Sequence, residues 1–98
     1  MKELVNQLTD DVLDVLAERF KALGEPSRLK ILRCLIEGEK CVNDITSITG
    51  MYQPNVSKQL KILHGSGILD FKQNGLQRFY FVKDPTVVRI CHYLCGVE

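Results

Sequence analysis

No segment of the 98 residues approaches the roughly 20 consecutive apolar positions that a membrane-spanning helix needs. Met1 to Leu8 interleaves Lys2, Glu3 and Asn6 with its aliphatics, which is not the pattern of an export signal, so a soluble protein of the cytoplasm is expected. Net charge is nearly absent: thirteen Lys and Arg against twelve Asp and Glu leave +1, so bulk charge identifies no partner. There is no Gly-x-Ser-x-Gly elbow, no glycine-rich phosphate loop and no His-Glu pair at zinc-protease spacing. Neither His64 nor His92 stands in a triad-like or metal-ligand context, so hydrolytic catalysis finds no support and no enzyme is expected. Repeats, low-complexity tracts and linkers are missing too. The length allows one domain, residues 1–98, with a modest core, and is too short for a two-domain enzyme.

What is present is unevenly spread. Residues 1–24 carry five acids and three bases, whereas Met51 to Lys83 carries five bases (Lys58, Lys61, Lys72, Arg78 and Lys83) and one acid, Asp70. A basic segment on a nearly neutral chain attracts phosphate locally without making the whole surface adhesive. The four cysteines, Cys34, Cys41, Cys91 and Cys95, could form a two-bridge framework in a secreted protein. With no export pattern and with enough aliphatics for a core, reduced thiols serving as core fillers or ligands are the better reading.

Apolar residues recur at three and four from Leu4 to Leu23, which predicts one amphipathic helix of about five turns ended by Gly24. Pro26 suits the first turn of a second helix whose stripe is Leu29, Leu32, Leu35 and Ile36. A short third helix is expected from an Asn43 cap to Gly50. A fourth is expected from Gln53 to His64, with Val56, Leu60 and Leu63 facing inward. The period then changes: residues 68–72 and 78–82 are β-prone and flank Asn74-Gly75, predicting a hairpin with its tip at residues 73–77. Asp84-Pro85 opens a last helix running to about Cys95. Four helices, two strands and a helix make a mainly α (α+β) chain, the order of a winged helix-turn-helix.

On the fourth helix the inward stripe turns Asn55, Lys58, Gln59, Lys61 and Ile62 outward and leaves Gln53 and Ser57 at the margin. Amides can bond adenine edges bidentately, Ser57 can bond a base or phosphate, and the lysines neutralise phosphates. Arg78, with Lys72, Asn74 and Gln77 nearby, gives the hairpin a cation for backbone or minor groove. The first and last helices are more apolar than so small a domain needs for itself, which predicts two-fold pairing through them on an inverted repeat of double-stranded DNA. Cys91 and Cys95, spaced i, i+4, lie on one helix face where two sulfurs could converge on a soft ion or fill a core.

Leu23-Gly24-Glu25-Pro26-Ser27-Arg28-Leu29-Lys30-Ile31-Leu32 and Gln53-Pro54-Asn55-Val56-Ser57-Lys58-Gln59-Leu60-Lys61-Ile62-Leu63, followed by Gly67-Ile68-Leu69, resemble the ArsR/SmtB-type winged-helix repressors of bacteria and archaea. That resemblance implies a homodimeric, sequence-specific transcriptional repressor that needs no cofactor to bind its operator. It also implies release when a metal, metalloid or oxidant reaches the thiols. Members that bind a thiophilic ion such as As(III), Sb(III), Cd or Pb near the third helix resemble Glu-Leu-Cys-Val-Cys-Asp-Leu. Here the stretch reads Glu39-Lys40-Cys41-Val42-Asn43-Asp44-Ile45, so Asn43 replaces the second thiolate and the implied set becomes Cys41, Cys91 and Cys95. The zinc or cobalt site of other members needs histidines on the last helix that this chain does not supply beside Asp84. Oxidation-sensing members pair a cysteine of the second helix with one near the end of the last. Cys95 resembles the latter, while Arg33 occupies the former position and Cys34 lies one residue on, about 100° around the helix. Tyr52 stands where the family often has a capping Ser or Thr. The alternatives of another class are a thiol redox protein, though no Cys-x-x-Cys motif is present, and a winged-helix module that binds only protein.

Overall fold

The computed structural model describes residues 1–96. The expected single amino-terminal helix is two: α1, Lys2–Gln7, and α2, Asp10–Leu23. Thr9 adopts extended backbone (φ −68°, ψ 164°) and its hydroxyl accepts from the Val12 N–H at 3.4 Å. A capping hydroxyl followed by Asp10 and Asp11 at a helix amino terminus restarts the helix there, although the apolar period runs through the break.

Helix α3, Pro26–Ile36, begins with Pro26 in its first turn and a Glu25 carboxylate that accepts from the Arg28 N–H at 3.3 Å. It is rotated from the expected stripe. Ile31, Leu32, Cys34 and Leu35 are buried, whereas Leu29 and Ile36 are exposed. A two-residue strand that periodicity does not reveal follows, β1, Lys40–Cys41. Its pairing moves the start of α4, Val42–Thr49, ahead of the expected Asn43 cap and places Cys41 at the cap position without a side-chain bond. Gly50 closes α4 in the left-handed region (φ 69°), where glycine meets no Cβ penalty, and its N–H reaches the Thr46 carbonyl at 2.9 Å.

Helix α5, Gln53–Gly65, β2, Leu69–Asn74, β3, Gln77–Val82, and α6, Pro85–Leu94, follow as expected in order. The sheet has three antiparallel strands, not two, in the order β1-β3-β2. Lys40 pairs with Tyr80 and Cys41 with Phe79, while Leu69 to Asn74 pair with Val82 to Gln77. The fold is thus a winged helix-turn-helix, with α4 and α5 as the helix pair and β2–β3 as the wing.

Ile31, Leu32, Ile45, Val56, Leu60, Leu63, Ile68 and Leu69 form the fully buried centre, with Ala22, Tyr80 and Val87 around it. Side chains of α3, α4 and the wing therefore meet those of α5 in one core. Burying a Leu or Ile side chain contributes about 1.5–3 kcal/mol, so this cluster fixes the orientation of α5 against the wing. By contrast, α2 buries only Ala22 and leaves Val12, Leu13, Val15 and Phe20 exposed, and α6 leaves Tyr93 and Leu94 exposed.

Candidate nucleic-acid interface

Val56, Leu60 and Leu63 point inward as their spacing predicts, and the opposite side of α5 carries exposed Gln53, Ser57, Lys58 and Lys61. Asn55 is half-buried at the edge of that face. Gln59 departs from expectation: it is 7% exposed and faces the interior. Its Oε1 accepts from Arg28 Nη1 at 2.9 Å and its Nε2 donates to Asn55 Oδ1 at 3.0 Å. The periodic reading placed it outward because nothing local shows that a guanidinium from α3 reaches this spot. Arg28 also donates through Nη2 to the Lys21 carbonyl at 3.2 Å and through Nε to the Ala22 carbonyl. Tyr52, at the α5 cap position, is exposed and supplies no side-chain cap.

The wing turns at Gly75 and Leu76, where Gly75 holds φ 64°, a value suited to glycine at the first central position of a tight hairpin. Arg78 is exposed on β3, with its guanidinium carbon 4.4 Å from the Phe71 ring centroid. Phe71 in turn packs on His64 at 5.0 Å and Tyr80 at 5.4 Å, and His64 Nε2 lies 3.5 Å from Asp70 Oδ1. The end of α5 is thereby tied to the wing. Lys72, expected as a wing cation, is instead paired with Glu39 at 3.2 Å. A groove of about 550 Å³ runs between α5 and the wing, lined among others by Ser57, Lys61, His64, Phe71 and Arg78. Two cations, a hydroxyl and an imidazole along one groove can follow a phosphate backbone while residues nearer the start of α5 approach base edges. Phe71 escaped the sequence reading because its value lies in stacking, on Tyr80 across the strands and on His64 of α5.

The thiols are dispersed. Cys34 is buried on α3, where burial pushes its thiol pKa up, partly offset by Lys40. Cys41 is buried at the sheet edge opposite Phe79. Cys91 is half-buried against the core, and Cys95 is exposed with its Sγ 3.2 Å from the His92 carbonyl. Among the described residues of one chain, no three His, Cys, Asp or Glu side chains converge as a metal-binding group. A three-thiolate ion site built from Cys41, Cys91 and Cys95 therefore does not fit within a single chain. Nor, among the described residues, is any helix long and apolar enough to cross a membrane.

Residues 25–70 match the family described as "Bacterial regulatory protein, arsR family". The chain is 41% identical over 75 residues to the HTH-type transcriptional regulator MJ1325 of Methanocaldococcus jannaschii, covering 76% of this chain and 84% of that protein. Among solved structures, it superposes on the homodimeric winged helix-turn-helix DNA-binding domain of Mb0332 from Mycobacterium bovis with a TM-score of 0.80. The identity is 30%, with 88% of this chain and 80% of that one covered. It likewise superposes on the AntR antimony-specific transcriptional repressor with a TM-score of 0.78 and 32% identity, covering 90% and 81%.

Proposed function

Because the chain belongs to the ArsR family of bacterial regulatory proteins, DNA-binding repressors and not enzymes, we propose that it acts as a homodimer on an inverted-repeat operator and is released by a thiophilic ion. One observation carries the DNA reading: Ser57 and Lys61 of α5 and Arg78 of the wing line the same groove. Gln53, Asn55 and Lys58 extend that surface toward the start of α5, and Gln59 supports it from beneath.

Two-fold pairing is supported by the apolar side chains of α2 and α6 that one chain leaves in water, Val12, Val15, Phe20, Tyr93 and Leu94. The M. bovis relative is itself homodimeric. Pairing would set two α5 helices on one side of the dimer, spaced for successive major grooves.

Cys41, Cys91 and Cys95 are the inducer residues in this reading. Since one chain does not gather them, the set is completed across the dimer, with Cys91 and Cys95 of one protomer approaching Cys41 of its partner. An As(III)-like ion, or Sb(III), Cd or Pb, fits soft thiolates. Release requires that the ion bind more tightly to a dimer whose α5 helices no longer match the groove spacing. Oxidation through Cys34 and Cys95 is the weaker alternative, since Cys34 is buried with a raised pKa and Cys95 is exposed.

The test is fluorescence anisotropy of the fully reduced protein on labelled DNA from upstream of its own gene, titrated with arsenite in the presence of reductant. Salt-sensitive, sequence-selective binding, with release near one equivalent per site that Cys41→Ser or Cys91→Ser abolishes, is the expected result. Tight binding indifferent to arsenite keeps the repressor and removes that inducer.

A further inference from the structure

Gln59 is buried at 7% exposure, and its amide stands between a group that only donates and a group that can do either. The Arg28 guanidinium has no acceptor, so the Gln59 atom that meets Nη1 at 2.9 Å must be the oxygen. The Gln59 nitrogen is then turned toward Asn55, where it donates at 3.0 Å to Oδ1. That bond turns the oxygen of half-buried Asn55 toward Gln59, while Nδ2 makes no hydrogen bond among the described residues. Arg28 is anchored on its other side by the Lys21 and Ala22 carbonyls in the last turn of α2, the Lys21 carbonyl also accepting from the Gly24 N–H at 3.2 Å.

We propose that Arg28 and Gln59 are positioning residues that fix the hydrogen-bond polarity of Asn55, so that it offers DNA a donor. Its target is a base-edge acceptor in the major groove: a purine N7, a guanine O6 or a thymine O4. The bidentate adenine pair expected from residue type needs an oxygen and a nitrogen turned outward together, and the relay commits the oxygen to Gln59. The relay also gives α2, which carries the surplus apolar face, a hydrogen-bonded path to the base-reading side of α5. This inference rests on α5 being the recognition helix.

The experiment is a single-base-pair scan of the operator by anisotropy, on the wild-type protein, Gln59→Glu and Asn55→Asp, repeated at several salt concentrations. Gln59→Glu keeps an acceptor for Arg28 but cannot donate, which frees the Asn55 amide to turn over. Asn55→Asp keeps the acceptor for Gln59 and removes the outward donor, and its half-exposed position keeps the proposal testable should the Gln59→Glu variant fail to fold. The wild type is expected to discriminate by about ten-fold or more at one base pair of each half-site. Both variants are expected to reduce that preference to a few-fold at that base pair, with the profile elsewhere retained. Equal weakening on every sequence, or an unchanged profile, overturns the proposal and leaves α5 as recognition helix intact. Wild-type protein that binds no duplex even at low salt overturns the recognition-helix reading, and this inference with it.

Discussion

Arg78 lies over the face of Phe71, its guanidinium carbon 4.4 Å from the ring centroid. A cation over an aromatic face is attracted by the ring quadrupole, worth about 0.5–1 kcal/mol at exposed sites. The contact holds a flexible side chain toward the groove before DNA arrives. Phe71→Leu retains apolar bulk and removes the π face, so operator affinity should fall about two- to five-fold with an unchanged salt dependence. Arg78→Ala should lower the salt slope by about 1, and Phe71→Leu should then add little to it. Anisotropy titrations over a salt series check the two single variants and the double.

Asp84 gives stability a dependence on acid. Its carboxylate accepts from the Thr86 hydroxyl and from the Thr86 N–H at 3.0 Å, and it faces Arg19 at 3.4 Å. The Thr86 hydroxyl above all, then the Thr86 N–H, with Arg19 adding to them, holds its pKa below the ordinary carboxylate range. A depressed folded-state pKa contributes stability above the unfolded value, about 3.9, and loses it as pH falls through the lower folded value. Thermal melts should therefore show Asp84→Asn less stable than wild type at neutral pH, with the gap closing below about pH 4. A gap that stays constant into acid would remove the carboxylate as its source.

The four thiols should separate by reactivity. Thiolate fraction and access govern alkylation, and Cys34 is both buried and raised in pKa. Iodoacetamide on the native reduced protein should label Cys95 first and leave Cys34 and Cys41 unmodified until denaturant is added. Peptide mass spectrometry over a time course reads the order. Early labelling of Cys41 would mean that β1 opens readily.

Phe20 is 54% exposed on α2, which also leaves Val12 and Val15 exposed. Phe20→Glu places a charge on that face without touching the core, so the helical circular dichroism should persist while sedimentation shifts from dimer to monomer. Operator affinity should drop about ten-fold or more, because the second half-site loses its tethered reader. A variant that stays dimeric would place the interface elsewhere.

The helix-turn-helix was legible because Val56, Leu60 and Leu63 repeat at helical spacing and each is fully buried. The wing was legible from its β-prone arms, and its turn at Gly75 and Leu76 falls within the expected tip at residues 73–77. Thr9-Asp10-Asp11 was a readable cap signal, masked by apolar residues that keep their period across it. The two-residue β1 carries no period of its own and exists through pairing with Tyr80 and Phe79. Gln59 misled for a related reason: its burial is set by Arg28, a partner far along the chain. The thiol arrangement depends on which chain each sulfur meets, which no spacing along one chain encodes.

The two ladders of the small sheet also differ in what their formation requires. A two-residue turn joins β2 to β3, so the wing hairpin closes locally at little entropic cost. Lys40 and Tyr80, in contrast, are separated by α4, α5 and the wing itself, so β1 can dock on β3 only after those elements have come together. Amide protons in the β1–β3 ladder should thus exchange through a wider opening of the domain than those at the wing tip. The shortest strand of the fold is a latch that closes late and reports whether the DNA-reading half has finished folding.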